Sequence, residues 1–280
     1  MEGTSMSGGR ISVVTLICAC NALGLAQGPE APDFGEAIED NSFFIEEAFN
    51  QEPGVVQHIA TFTMFPSPQR DVVNSFTQEW PIGSQRHQLS YTVSYLSLEQ
   101  GRFAGIGDLL LNYRYQVADA DWWGALAPRL SIIFPTGNAQ KGLGNGVVGF
   151  QCNIPLSKRV SDHWIMHANA GVTVHPNAEG TTASGSRVKR TLSSYNLGGS
   201  VLLLASSTTN VLLEASLSNL GTFEEGIVVR SVETVVSPGV RMAIDSGELQ
   251  IVPGLGVPWR FADGRVHVGI FLYLSFEHPF

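Results

Sequence analysis

The feature that most constrains this chain is a two-residue alternation of apolar and polar side chains, repeated in short runs from about Gln57 to the C-terminus. The last run shows it most fully. Val266, Val268, Ile270, Leu272, Leu274 and Phe276 share one face, and His267, Gly269, Tyr273, Ser275 and Glu277 share the other. Successive side chains of a β-strand point to opposite faces, so such a run is a strand with one apolar and one polar side. Two earlier runs repeat the pattern. Leu89, Tyr91, Val93 and Tyr95 oppose Gln88, Ser90, Thr92 and Ser94; Leu109, Leu111, Tyr113, Tyr115 and Val117 oppose Asp108, Asn112, Arg114 and Gln116. Turn residues separate about twelve runs, with cores near 55–65, 71–81, 87–98, 106–117, 125–134, 147–157, 164–175, 192–205, 210–219, 232–242, 248–258 and 266–277.

A soluble sandwich also alternates, but its apolar face is inside and its charged face outside. Here the polar faces carry Ser, Thr, Asn, Gln and Gly, and charged residues make up only 15% of the chain, against about 25% in globular proteins. The runs are close to the length a tilted strand needs to cross hydrocarbon. Trp80, Trp122, Trp123, Trp164 and Trp259 fall near run ends, as in interfacial girdles. The expected fold is all-β: a transmembrane antiparallel up-and-down β-barrel of about 12 strands over residues 55–280, in a bacterial outer membrane. With both termini periplasmic, the turns 83–86, 118–124, 158–162, 206–210 and 245–248 lie at that end. Longer loops, 135–146, 176–191 and 221–231, lie at the other. Proline is the objection: Pro128, Pro155, Pro238 and Pro253 each remove a ladder donor. Bulges are expected at Pro238 and Pro253.

Ahead of the strands, Ile11 to Leu25 is a short apolar stretch after Arg10, ending in the small-x-small triplet Gly24-Leu25-Ala26. This is the pattern of a secretory signal peptide over residues 1–26, cleaved after Ala26. A rival reading makes Cys20 a lipidated N-terminus. Cleavage after Ala26 leaves Cys152 as the one thiol, so no internal disulfide is expected. Residues 27–54 do not alternate and are rich in Asp and Glu. They form either a periplasmic tail or a plug in the lumen, with a short amphipathic helix over Phe43–Phe49 as one conformation.

The net charge is −9, and no basic patch is present to neutralise phosphates, so nucleic acid is excluded as a partner. Inward parity selects candidate lumen-lining residues: Glu79, Asp108, Asn112, Arg114, Arg129, His167, Glu214, Glu233, Arg241, Glu248 and Tyr273. Opposed charges there read either as ion pairs that satisfy buried charge or as a selectivity lining. His167 and His175 share inner parity without metal-ligand spacing. Gly144-x-Gly146-x-x-Gly149 is followed by a strand, so it is no dinucleotide fingerprint. No catalytic residue, metal or cofactor is expected.

Two segments carry a resemblance. The ending GIFLYLSFEHPF resembles the terminal signal read by the outer-membrane barrel assembly machinery, with Phe280 last. The stretch NSFFIEEAFNQEPGVVQHI (41–59), with IGDLLLNYRYQV, APRLSIIFPTGN and GLGNGVVGFQCNIPLS, resembles a family of outer-membrane transporter-like proteins linked to the meta-cleavage pathway of phenol degradation. The resemblance implies a barrel passing small, often aromatic, solutes. The expected function is thus a channel or transporter for small-molecule solutes, with lipid and the assembly machinery as partners. The alternatives are a barrel enzyme acting on envelope lipid and a non-transporting structural or recognition barrel.

Overall fold

The computed structural model describes residues 42–66, 70–119 and 123–280. The expected signal peptide, Cys20 and Trp122 lie outside these residues. Twelve strands are formed, some in two segments. They are β1 (Val55–Phe65), β2 (Asp71–Ile82), β3 (Ser84–Leu98), β4 (Phe103–Ile106 and Leu109–Tyr115), β5 (Ala125–Leu126 and Arg129–Phe134) and β6 (Gly149–Ser161). They continue as β7 (Trp164–Thr181), β8 (Arg187–Leu204), β9 (Thr209–Glu224), β10 (Ile227–Met242, continued by Ile244–Ser246), β11 (Leu249–Gly256 and Trp259–Ala262) and β12 (Arg265–Val268 and Ile270–Pro279). Each pairs antiparallel with the next. The ring closes where β12 meets β1, from Val55 opposite Pro279 to Met64 opposite Ile270. Phe280 donates its amide to the Gly54 carbonyl at 2.9 Å, so the start of β1 and the end of β12 share one rim. A closed sheet leaves no edge, which is what a spanning β structure requires.

Burial is inverted relative to a soluble protein. Leu213 is 54% and Leu272 46% exposed, while Gln57, Ser157 and Ser275 are fully buried. Outward parity is apolar and inward parity polar, so lipid surrounds the wall and water or protein fills it. Trp164 and Trp259 are exposed on the outer face, near opposite rims. Cys152 lies between the outward-facing Phe150 and Ile154, half-buried.

Two expectations are corrected. The stretches 176–191 and 221–231 are not loops. β7 and β8 have 18 residues each, and β9 and the first segment of β10 have 16, joined by short turns at 182–186 and Glu225-Gly226. Beyond the bilayer the outward face of these hairpins, with Glu179, Arg187 and Lys189, meets water instead of lipid. The apolar alternation therefore stops while strand pairing continues. Pro238 and Pro253 do not produce bulges either, because the register runs unbroken through both. Val257 donates its amide to the Pro238 carbonyl at 3.0 Å. The missing proline donor removes a ladder bond without shifting the strands, and β11 is interrupted there, between Gly256 and Trp259.

Candidate functional site: the lumen and its inner segment

Residues 42–53, just before β1, run against the inward face of the wall as a chain of bends with no helix. A lone extended segment has no ladder of its own, so its backbone groups need partners elsewhere. Inward side chains of the barrel supply them. The Glu214 carboxylate accepts from the Phe44 and Ile45 amides at 2.9 and 3.1 Å. Ser157 Oγ accepts from Ala48 at 2.7 Å, Gln116 Oε1 from Asn50 at 3.2 Å and Gln88 Oε1 from Gln51 at 2.7 Å. In the other direction, Arg114 donates to the Phe49 carbonyl at 2.9 Å and Gln116 to that of Ala48 at 2.8 Å. Side chains from β3, β4, β6 and β9 thus do for this segment what a neighbouring strand does in a sheet.

Glu46 is the charged centre. Its carboxylate accepts from Arg114 at 2.9 Å, from Arg129 at 2.8 Å and from Asn153 at 2.6 Å. Burial raises the pKa of this carboxyl, but Arg129 and Arg114 outweigh it and hold the group at about 2, against the ordinary 4.5. Arg129 also donates to Asn112 at 2.9 Å, and Gln88 donates to Glu79 at 2.6 Å. Two guanidinium groups therefore share one carboxylate from the segment inside the barrel, with Glu79 close by on the wall.

The apolar side chains of the segment are seated on glycines. A Cβ on Gly239 would lie 2.5 Å from the Phe43 ring, and one on Gly254 2.7 Å from it. The bare backbone of β10 and β11 forms the depression that holds Phe43, whose ring packs 5.0 Å from Phe271 and 5.5 Å from Tyr273. Ile45 sits likewise on Gly198. Two cavities flank the segment. One of about 290 Å³ is lined by Phe44, Ile59, Thr61, Thr77, Thr92 and Arg129 among others. The other, of about 280 Å³, is lined by Ile45, Gln151, Asn169, Asn196, Ser216 and Ser218 among others. Both reach Phe44, Ile45, Glu46 and Arg129.

Of the residues selected by parity, Glu79, Asn112, Arg114, His167, Glu214, Arg241 and Tyr273 are buried, and Arg129 is half-buried against Glu46. Asp108 has a different role. Its carboxylate accepts from the Gly137 and Asn145 amides at 2.9 and 3.0 Å and clamps the loop between β5 and β6. Gly144 lies directly against that carboxylate, so the glycine-rich stretch is packed down there rather than free. Glu233 lines a separate cavity with Asp71, Arg260, Asp263, Arg265 and His267. Glu248 is exposed in the turn before β11 and lies on no wall, because the strand starts one residue later than the alternation suggests. His167 faces Ser157, with Nδ1 2.7 Å from Oγ, and both are buried beneath Ala48. Parity did not single out Glu46 or Ser157. The signal for Ser157, Gln88 and Gln116 was present as polar residues on the inward face; Glu46 had none, since its segment has no periodicity.

Neither a family model nor a curated relative matches the chain. Solved structures do resemble it. An outer-membrane channel from Pseudomonas putida F1 is 13% identical over 83% of this chain and 98% of its own, with a TM-score of 0.59. The NanC porin is 8% identical over 80% of this chain and 100% of its own, with a TM-score of 0.50. At these identities the likeness is one of fold. Joined to the closed antiparallel wall and its lipid-facing apolar surface, it makes this chain a β-barrel of the bacterial outer membrane.

Proposed function

We propose that the protein is a channel for small solutes, narrowed by residues 42–53. The observation that carries this reading is the pair of cavities meeting at Phe44–Glu46, bounded by hydroxyl, amide and a few apolar side chains. An interior built only for stability would be filled, as in the smallest barrels. Glu46, Arg114 and Arg129 are proposed to set selectivity. Because these three groups leave one positive charge in excess, uncharged or weakly anionic solutes suit the path. Phe44, Ile59, Leu110 and Tyr273 beside Thr61, Thr77 and Thr92 give an aromatic or hydrophobic solute a partly apolar surface. The C-terminal strand, ending in the exposed Phe280, is proposed as the part read by the barrel assembly machinery.

A reversible lock tests the channel. In a Cys152→Ser background, Ala48→Cys with Ser157→Cys places a disulfide where the Ala48 amide now meets Ser157. In planar bilayers the oxidised protein is expected to conduct weakly and the reduced protein more strongly, in discrete steps. Silence from the reduced form and from the natural chain alike overturns the channel in favour of a non-transporting barrel.

A further inference from the structure

At the seam where the first and last strands close the barrel, His58 of β1 and His278 of β12 approach each other with Nε2 atoms 3.3 Å apart. They are diagonal neighbours: His58 is paired with Phe276, and His278 with Val56. Gln57 is fully buried on the inward face, so parity puts both histidines on the outer surface, near the rim that carries Gly54 and Phe280. His58 is stacked on Phe276 with ring centres 4.6 Å apart. The side of the His58 ring is thus held by packing, and its nitrogen is aimed at its partner.

The hydrogen bonds fix the tautomers. His278 Nδ1 lies 2.8 Å from the carbonyl oxygen of Pro279, which can only accept, so Nδ1 carries the proton and Nε2 is bare. His58 Nε2 must then donate to it. A backbone carbonyl holding one ring N–H while the other nitrogen stays free is the arrangement that orients histidine metal ligands. The spacing fits as well. Two nitrogens each about 2.0–2.1 Å from a tetrahedral ion stand about 3.3 Å apart.

We propose that His58 and His278 bind a late first-row divalent ion, Cu2+ or Zn2+, and that the ion staples β1 to β12. It takes the place of the shared proton, which moves to His58 Nδ1. Water fills the remaining positions, since no group of three or more ligating side chains occurs among the described residues. Cu2+ binds more tightly than Zn2+ in such a nitrogen site. Because the ion joins the two ends of the strand order, it opposes opening of the barrel at its one chain-terminal seam.

The test uses the full-length protein in detergent. In a Cu2+ titration the natural chain is expected to bind one equivalent more than His58→Gln or His278→Gln. The electron paramagnetic resonance signal of that equivalent should carry two imidazole nitrogens. Zn2+ should raise the temperature at which the natural barrel unfolds on a gel, and leave both variants unmoved. Equal Cu2+ binding by all three proteins overturns the site, and unchanged unfolding of the natural chain in Zn2+ overturns the staple.

Discussion

Burying a carboxylate against two guanidinium groups takes three charges out of water, and the arrangement holds only when the geometry compensates. Glu46 meets that condition through Arg114, Arg129 and Asn153. Replacing one partner of such a pair costs about 3–5 kcal/mol, because the other charges stay buried unpaired. Glu46→Gln is therefore expected to release the inner segment and raise conductance at neutral pH. Acid should do the same to the natural chain. A depressed carboxyl contributes its full stabilisation above its unfolded value, here 4.5, and loses it as pH falls toward about 2. Conductance of the natural chain should climb as pH falls below 4.5, whereas Glu46→Gln should already be high and show no such climb. The glycine seat gives an independent handle. Gly239→Val puts side-chain atoms where the Phe43 ring now lies. It should lower the yield of the disulfide between Ala48→Cys and Ser157→Cys. Inward parity selects Arg114, Arg129 and Glu214 on the wall, but not the contacts that tie them to residues 42–53. Ala48 meets Ser157 across 109 positions and Phe44 meets Glu214 across 170, and no local period encodes such pairings.

The strands themselves were legible, because lipid outside and polar groups inside impose opposite demands on alternate residues. Leu213 and Glu214 are adjacent in sequence and occupy those two environments, 54% and 2% exposed. An arginine on the lipid face near the midplane costs about 2–4 kcal/mol. Leu213→Arg should show that loss in folding titrations into lipid vesicles. The same logic explains where the reading failed. Above the membrane, Glu179 pairs with Arg187 and Lys189 across β7 and β8 at 3.6 and 3.3 Å, all in water. Charged residues there look like loop and are strand. Exposed pairs contribute about 0–1 kcal/mol, so Glu179→Ala should leave the unfolding temperature of the barrel nearly unchanged. Glu248 shows the finer limit, since an error of one residue at a strand end moves a side chain from wall to turn.

At the scale of the whole molecule, strand number and closure follow from alternation and turn spacing. The filling of the lumen does not, because the segment that fills it is held by the wall and has no pattern of its own. The strands are unequal in length. β7 has seven residues more than β1, 18 against 11. At about 3.3 Å per residue this is roughly 23 Å of extra chain, all toward the end away from Gly54. The wall is therefore longer along β7 and β8, at 18 residues each, than along β1 and β2, at 11 and 12. The cavity lined by Ile59, Thr61 and Thr77 lies against these short strands. On the proposed channel reading, a solute reaching that end meets a longer wall along β7 and β8 than along β1 and β2, so its approach has a direction as well as a size limit.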